Sequence, residues 1–93
     1  MSVVIQIPTP LRGFAGGQGE VEVEGATVGE ALSDLTRRHP ELARHLYTED
    51  GVLRSFVNIF LNDEDSRHLG GLDAPVQAGD SLLIIPSIAG GGR

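Results

Sequence analysis

The segment Ser81-Leu82-Leu83-Ile84-Ile85 is apolar at every position after its serine. A strand with one apolar face can lie half exposed, but a strand apolar on both faces belongs inside a sheet, so this run is expected to be a central strand. It is far shorter than the roughly 18 apolar residues that read as a membrane span. Its cover must therefore come from the rest of a chain of 93 residues, enough for one small domain.

The other end of the chain supplies a second apolar strand. Val3 to Ile7 alternates, with Val3, Ile5 and Ile7 on one face. With apolar strands at both ends, both are expected in the middle of the sheet. Glu20 to Glu24 (EVEVE) alternates strictly, valines inward and glutamates outward. Between these strands, Pro8 to Gly19 is rich in proline and glycine and reads as a long, mobile hairpin loop.

Thr27 offers a helix N-cap, and Glu30 three residues later completes a capping box. Val28, Ala31, Leu32 and Leu35 then form one apolar stripe. Pro40 ends this helix and can open a second short one that carries Leu42 and Leu46 inward. Thr48 to Gly51 reads as a turn. Val52 to Asp63 is strand material in which Val57, Ile59 and Leu61 alternate with Phe56, Asn58 and Phe60. Asp63 to Asp80 reads as loop and turn, with room for one helical turn or a short bridge. The order is ββαββ, an α+β arrangement with one main helix across a compact sheet.

The net charge is −6, which argues against a nucleic-acid binder and suits steering toward a basic partner surface. There is no cysteine, so disulfides, thiolate metal sites and thiol nucleophiles are excluded. There is no lysine; every basic residue besides histidine is arginine. The start, MSVVIQIP, lacks the basic opening of a secretory signal, and a cytoplasmic protein is expected.

His39, His45 and His68 are scattered without metal-ligand spacing and read as surface or helix-end residues. Asn62 to Asp65 (NDED) lacks calcium-loop spacing and reads as a solvated acidic loop, with Arg54 and Arg67 pairing with it or solvated. Gly13 to Gly19 (GFAGGQG) has neither the Lys-Ser/Thr ending nor the following helix of a phosphate loop. No nucleophile–base or paired-carboxylate arrangement is present, and no cofactor is called for. The chain is not expected to be an enzyme by itself.

Arg54 to Gly91, RSFVNIFLNDEDSRHLGGLDAPVQAGDSLLIIPSIAGG, and the opening IPTPLR resemble the ubiquitin-like sulfur carriers of the MoaD/ThiS family, especially the cysteine-synthesis (CysO-type) carriers. The resemblance covers essentially the whole chain. It implies a β-grasp fold with a mixed sheet, as a domain of residues 1–87 followed by a tail of residues 88–93. It implies that an E1-like adenylating enzyme (MoeB/ThiF type) activates the C-terminal glycine carboxylate. A sulfur donor converts that group to a thiocarboxylate, which serves an acceptor enzyme. A cysteine synthase is the first expectation, with molybdopterin, thiamin or sulfur-containing secondary metabolism as others.

On this resemblance Ala89, Gly90 and Gly91 form the thread, and Gly91 bears the reactive group. Glycine, lacking Cβ, suits a chain end that enters a narrow channel. The sequence departs from the family by continuing into Gly92 and Arg93. These are expected to be a removable cap, cut by a JAMM-type metalloprotease; removal of Arg93 alone would leave Gly92 as the terminus. Ile88, beyond the last strand, is a candidate for partner docking. Phe60 either joins it in an apolar docking patch or is covered by the second helix and the loops; Phe56 is a further candidate, with burial the expectation. The rival functions are a ubiquitin-like modifier joined to lysines and an interaction subunit that carries no sulfur.

Overall fold

The computed structural model describes residues 2–86. Five strands form one mixed sheet: β1 (Ser2–Gln6), β2 (Glu20–Glu24), β3 (Val57–Leu61), β4 (Glu64–Asp65) and β5 (Ser81–Pro86), in the spatial order β2-β1-β5-β3-β4. The two terminal apolar strands are neighbours at the centre and run parallel, Ile5 opposite Leu82. β2 and β3 flank them antiparallel.

Helix α1 (Val28–Arg38) begins where the capping box predicts. The Glu30 amide donates to Thr27 Oγ1 at 3.1 Å, and Glu30 Oε1 accepts from the Ala26 amide at 2.9 Å. Its stripe Val28, Ala31, Leu32 and Leu35 is fully buried with Val3, Ile5, Val23, Ile59, Leu82 and Ile84. Pro40 opens a 3₁₀ turn (Pro40–Leu42), and α2 (Ala43–Leu46) follows; Leu42 and Leu46 are buried, as expected.

Two segments depart from the sequence expectations, and a third adds an unforeseen contact. Within the long β1–β2 loop, Thr9–Ala15 is wound into a 3₁₀ helix that buries Leu11 and Ala15. Arg12 holds it by donating from Nε to the Ile7 carbonyl at 2.9 Å, and Gly16 ends it at φ 68°. His45 is a helix-end residue, in the last turn of α2. It lies half buried with its ring stacked 4.1 Å from Phe14 and no hydrogen-bond partner for Nε2 among the described residues. The strand material before Asp63 is interrupted: β3 ends at Leu61, and Asn62 and Asp63 form a two-residue hairpin turn into β4, both with positive φ (50° and 76°). That turn type matches the right-handed twist of its strands.

Candidate functional site

The residues expected to carry chemistry or its release, Ala89, Gly90, Gly91, Gly92 and Arg93, and the docking candidate Ile88, lie outside the described residues. The structure defines where the chain sets out toward them. The base of β5 is tied on both sides. The Val4 amide donates to the Asp80 carbonyl at 3.1 Å and the Gly79 amide to the Ser2 carbonyl at 3.0 Å, which binds the turn before β5 to β1. On the other side, Asn62 Nδ2 donates to Asp80 Oδ1 at 3.1 Å, and Asn62 Oδ1 accepts from the Ser81 amide at 3.0 Å. Asp80 Oδ2 also accepts from the Gln77 amide at 2.8 Å.

Asn62 and Asp80 therefore hold the register of the strand that leads to the tail. An acidic-loop reading of NDED missed this role; the usable signal was an asparagine just past an alternating strand, where a positive φ is tolerated. At its far end β5 closes on Pro86, opposite Val57. Proline lacks the N–H needed to extend a ladder, so it suits the last pair of a strand.

The apolar run on β5 splits between two environments. Leu82 and Ile84 face the core and are buried. Leu83 and Ile85 face the other side; Leu83 is half buried and shares a shallow pocket with Gln6 and with Thr9 and Arg12 of the 3₁₀ segment, whereas Ile85 is 37% exposed. Leu83 sits between Gln6 of β1 and Phe60 of β3, and Ile85 sits opposite Asn58. With half-buried Val4, these side chains make an apolar strip across the middle of the open face. Central placement of β5 thus comes from its lateral neighbours, and its second face is only partly covered by the described residues.

Phe60 lies half buried in this strip, opposite Leu83 on one side and Asp65 on the other. α2 does not cover it, because α2 turns Leu46 into the core. The expected burial of Phe56 does not occur. It precedes β3, beside the Val57–Pro86 pair, and is 46% exposed. It is out of phase with the core residues Val57, Ile59 and Leu61, and the strand begins only after it, at Val57.

The margins of the strip are acidic. Glu20 and Glu22 on β2 lie opposite Gln6 and Val4. Glu22 accepts a short hydrogen bond from the Ser2 hydroxyl. At the β4 margin Asp65 is engaged by Arg67, whose Nη2 lies 2.7 Å from Oδ2. The Arg67 side chain, and then its amide, hold the Asp65 carboxyl down at about 2. Arg54 does not join these acids; its Nε donates to the Arg44 carbonyl at 3.1 Å. Among the described residues no group of three or more histidines, aspartates or glutamates is placed to hold a metal ion, and no helix is long and apolar enough to cross a membrane.

Comparison with known proteins places this geometry. The model of the ThiS family matches residues 5–91. The sulfur carrier protein CysO of Mycobacterium tuberculosis is 43% identical over 93 residues, which span 98% of this chain and all of that one. The crystal structure of the Amycolatopsis orientalis BexX/CysO complex contains a chain that superposes with a TM-score of 0.85 at 46% identity, covering 96% of this chain and 99% of that one. Small archaeal modifier protein 1 of Haloferax volcanii is 38% identical over 72 residues, 76% of this chain and 78% of that one.

Proposed function

The chain belongs to the ThiS family and is a ubiquitin-like sulfur carrier of the CysO type rather than an enzyme, and we propose that its working group is the carboxylate of Gly91. An E1-like enzyme of the MoeB/ThiF type joins this carboxylate to the AMP moiety of ATP and releases pyrophosphate. A sulfide-level donor attacks the acyl carbon, AMP leaves, and the thiocarboxylate remains. Its sulfur is the nucleophile at an acceptor enzyme, first of all a cysteine synthase acting on an activated serine. Such a carrier works in the cytoplasm, where ATP and its partners are found.

One observation carries this proposal: β5 is pinned at its base, runs through the centre of the sheet and closes at Pro86, five residues before Gly91. Five residues of chain reach at most about 18 Å. That length spans from a docked domain, residues 1–87, into an active-site channel. The apolar strip of Phe60, Leu83 and Ile85, with exposed Phe56 near the exit and Ile88 beyond it, supplies the docking contacts. The acidic margin at Glu20 and Glu22 suits a basic rim on the activating enzyme. Gly92 and Arg93 form the cap that a JAMM-type metalloprotease removes first, with Gly92 the terminus if only Arg93 is cut.

The test is intact-mass spectrometry after incubation with the cognate activating enzyme, ATP and sulfide. The form ending at Gly91 is expected to exchange one carboxylate oxygen for sulfur, and the full-length chain is expected to remain unchanged. An unchanged Gly91 form in the presence of demonstrably active enzyme overturns the carrier mechanism. Similarity to small archaeal modifier protein 1 favours a second use, attachment to lysines of target proteins. Hydrazine-resistant conjugates of higher mass in native cells would distinguish it from thiocarboxylate chemistry.

A further inference from the structure

The order of the sheet leaves part of β3 without a neighbour. β4 pairs only with Phe60 and Leu61, because the chain turns at Ser66 into a short 3₁₀ segment (Ser66–His68). The Asn62 amide donates to the Ser81 carbonyl at 2.9 Å. Bonded and non-bonded pairs alternate along an antiparallel ladder. Phe60 and Asn58 therefore bond to β5, whereas Val57, Ile59 and Leu61 turn their backbone groups away from it. Glu64 pairs with Leu61, and the Val57 amide donates to the Arg54 carbonyl at 3.0 Å. The Val57 carbonyl and the Ile59 N–H have no hydrogen-bond partner among the described residues. Both residues are buried, and buried backbone groups left unpaired are rare.

This stretch of edge opens on a slot of about 350 Å³. The far wall of the slot is apolar: Val52 is 61% exposed, Leu72 is 41% exposed, and Leu53 is half buried. Leu72 is held near α1 by the close approach of its loop to Gly29, where a methyl group would lie 3.1 Å from the Leu72 carbonyl oxygen. Arg67 is the one charged residue in the lining, and its Nη2 lies 2.7 Å from Asp65 Oδ2. With that pair counted, the slot carries no net charge. It offers apolar walls and, on either side of Asn58, one unpaired backbone acceptor and one unpaired backbone donor.

We propose that this slot takes an extended, uncharged segment of a partner protein as an added strand beside β3. An extended chain with one residue opposite Asn58 brings a donor to the Val57 carbonyl and an acceptor to the Ile59 N–H, whichever way it runs. The side chain opposite Asn58 falls on the open face. The side chains before and after it fall on the helix side with Val57 and Ile59, where Leu53 and Leu72 stand. The slot therefore reads two apolar residues separated by one, without charge. The edge strand at the other side of the sheet, β2, buries its valines in its own core and turns its glutamates outward, which suits no neutral slot on a second copy. The slot begins at Val57, opposite Pro86, so a protein bound there is held beside the point where the chain leaves the sheet. The slot does not depend on sulfur chemistry, and its test is separate from the mass experiment above.

The test uses the full-length ¹⁵N-labelled chain titrated with a short acetylated and amidated peptide of alternating valine and threonine. Saturable amide shifts are expected at Val52, Ile59 and Leu72, with Val21 and Val23 near the opposite edge unmoved. The Ile59 amide should exchange with solvent quickly in the free chain and at least ~10-fold more slowly in the complex. Methylating the peptide nitrogens along its pairing edge should weaken binding at least ~10-fold. Leu72→Ala and Val52→Asp, both at exposed positions, should also weaken it with the rest of the spectrum retained, and added salt should leave wild-type binding unchanged. Absence of saturable shifts, equal binding of the methylated peptide, or shifts confined to the β2 edge would overturn the proposal. An Ile59 amide already slow in the free full-length chain and fast in a chain ending at Pro86 would overturn it in favour of the chain's own tail. Self-association through β3 would overturn it in favour of a second copy.

Discussion

Ile84 and Ile85 are chemically identical neighbours, and the fold gives them opposite duties. Ile84 is 1% exposed in the core, whereas Ile85 is 37% exposed on the open face. Ile84→Ala removes three carbons, about 0.8 kcal/mol each for transfer, and leaves a cavity beneath α1, for a loss of about 3–4 kcal/mol. Ile85→Ala removes the same atoms from an exposed position that sheet neighbours flank, and strand preference puts its cost at about 0.5–1 kcal/mol. A domain of this length has roughly 5–14 kcal/mol in total, so both variants remain folded. At a urea slope near 1 kcal/mol/M, their midpoints should differ by about 2–3 M. Thiocarboxylate formation by the activating enzyme, assayed below saturation, should fall in Ile85→Ala and remain near wild type in folded Ile84→Ala. Equal losses of stability would refute the assignment of one face to the core and the other to the surface. Unchanged activation of Ile85→Ala would refute the docking role of the strip.

Three further outcomes follow from local geometry. Thr27→Ala breaks the capping box and should lower stability by about 1 kcal/mol in denaturant titrations followed by circular dichroism. Gly25→Ala would bring a methyl group within 2.7 Å of the Ala31 nitrogen, and should cost about 1–3 kcal/mol because the obstacle is backbone of α1. Asp65 is depressed from 3.8 to about 2 by Arg67, so its folded pKa lies below its unfolded one. Its contribution is present above pH 4 and is lost as pH falls toward 2. The stability difference between the wild type and Asp65→Asn should therefore shrink over that interval, and a difference that grows there would show the sign to be wrong.

Much of this architecture is written locally. The α1 capping box and stripe involve residues three or four apart, so they are visible in any short window. The alternation of β2 and the apolar ends of the chain are equally local, and they lead to a sheet with both terminal strands at its centre. The strap at Thr9–Ala15 was hidden because prolines and glycines signal a turn without saying whether Leu11 finds a core to enter. The β3–β4 hairpin was hidden because Asn62 and Asp63 read as acid-rich loop, although Asn62 is the side chain that fastens β5. The stacking of His45 on Phe14 was hidden because the two are far apart in sequence.

The sequence by itself determined β1, β2, α1 and β5, the central place of β5, the absence of thiol and lysine chemistry, and the glycine-rich end with its family resemblance. These depend on residue type, short spacing and covalent order. Tertiary structure alone decided which half of an apolar strand is core and which is surface, that Phe56 stands exposed beside the exit of β5, and that the free edge of β3 opens on a slot beside Leu72. Burial and strand pairing depend on which distant residues arrive alongside, and no periodicity within a single segment encodes that arrival.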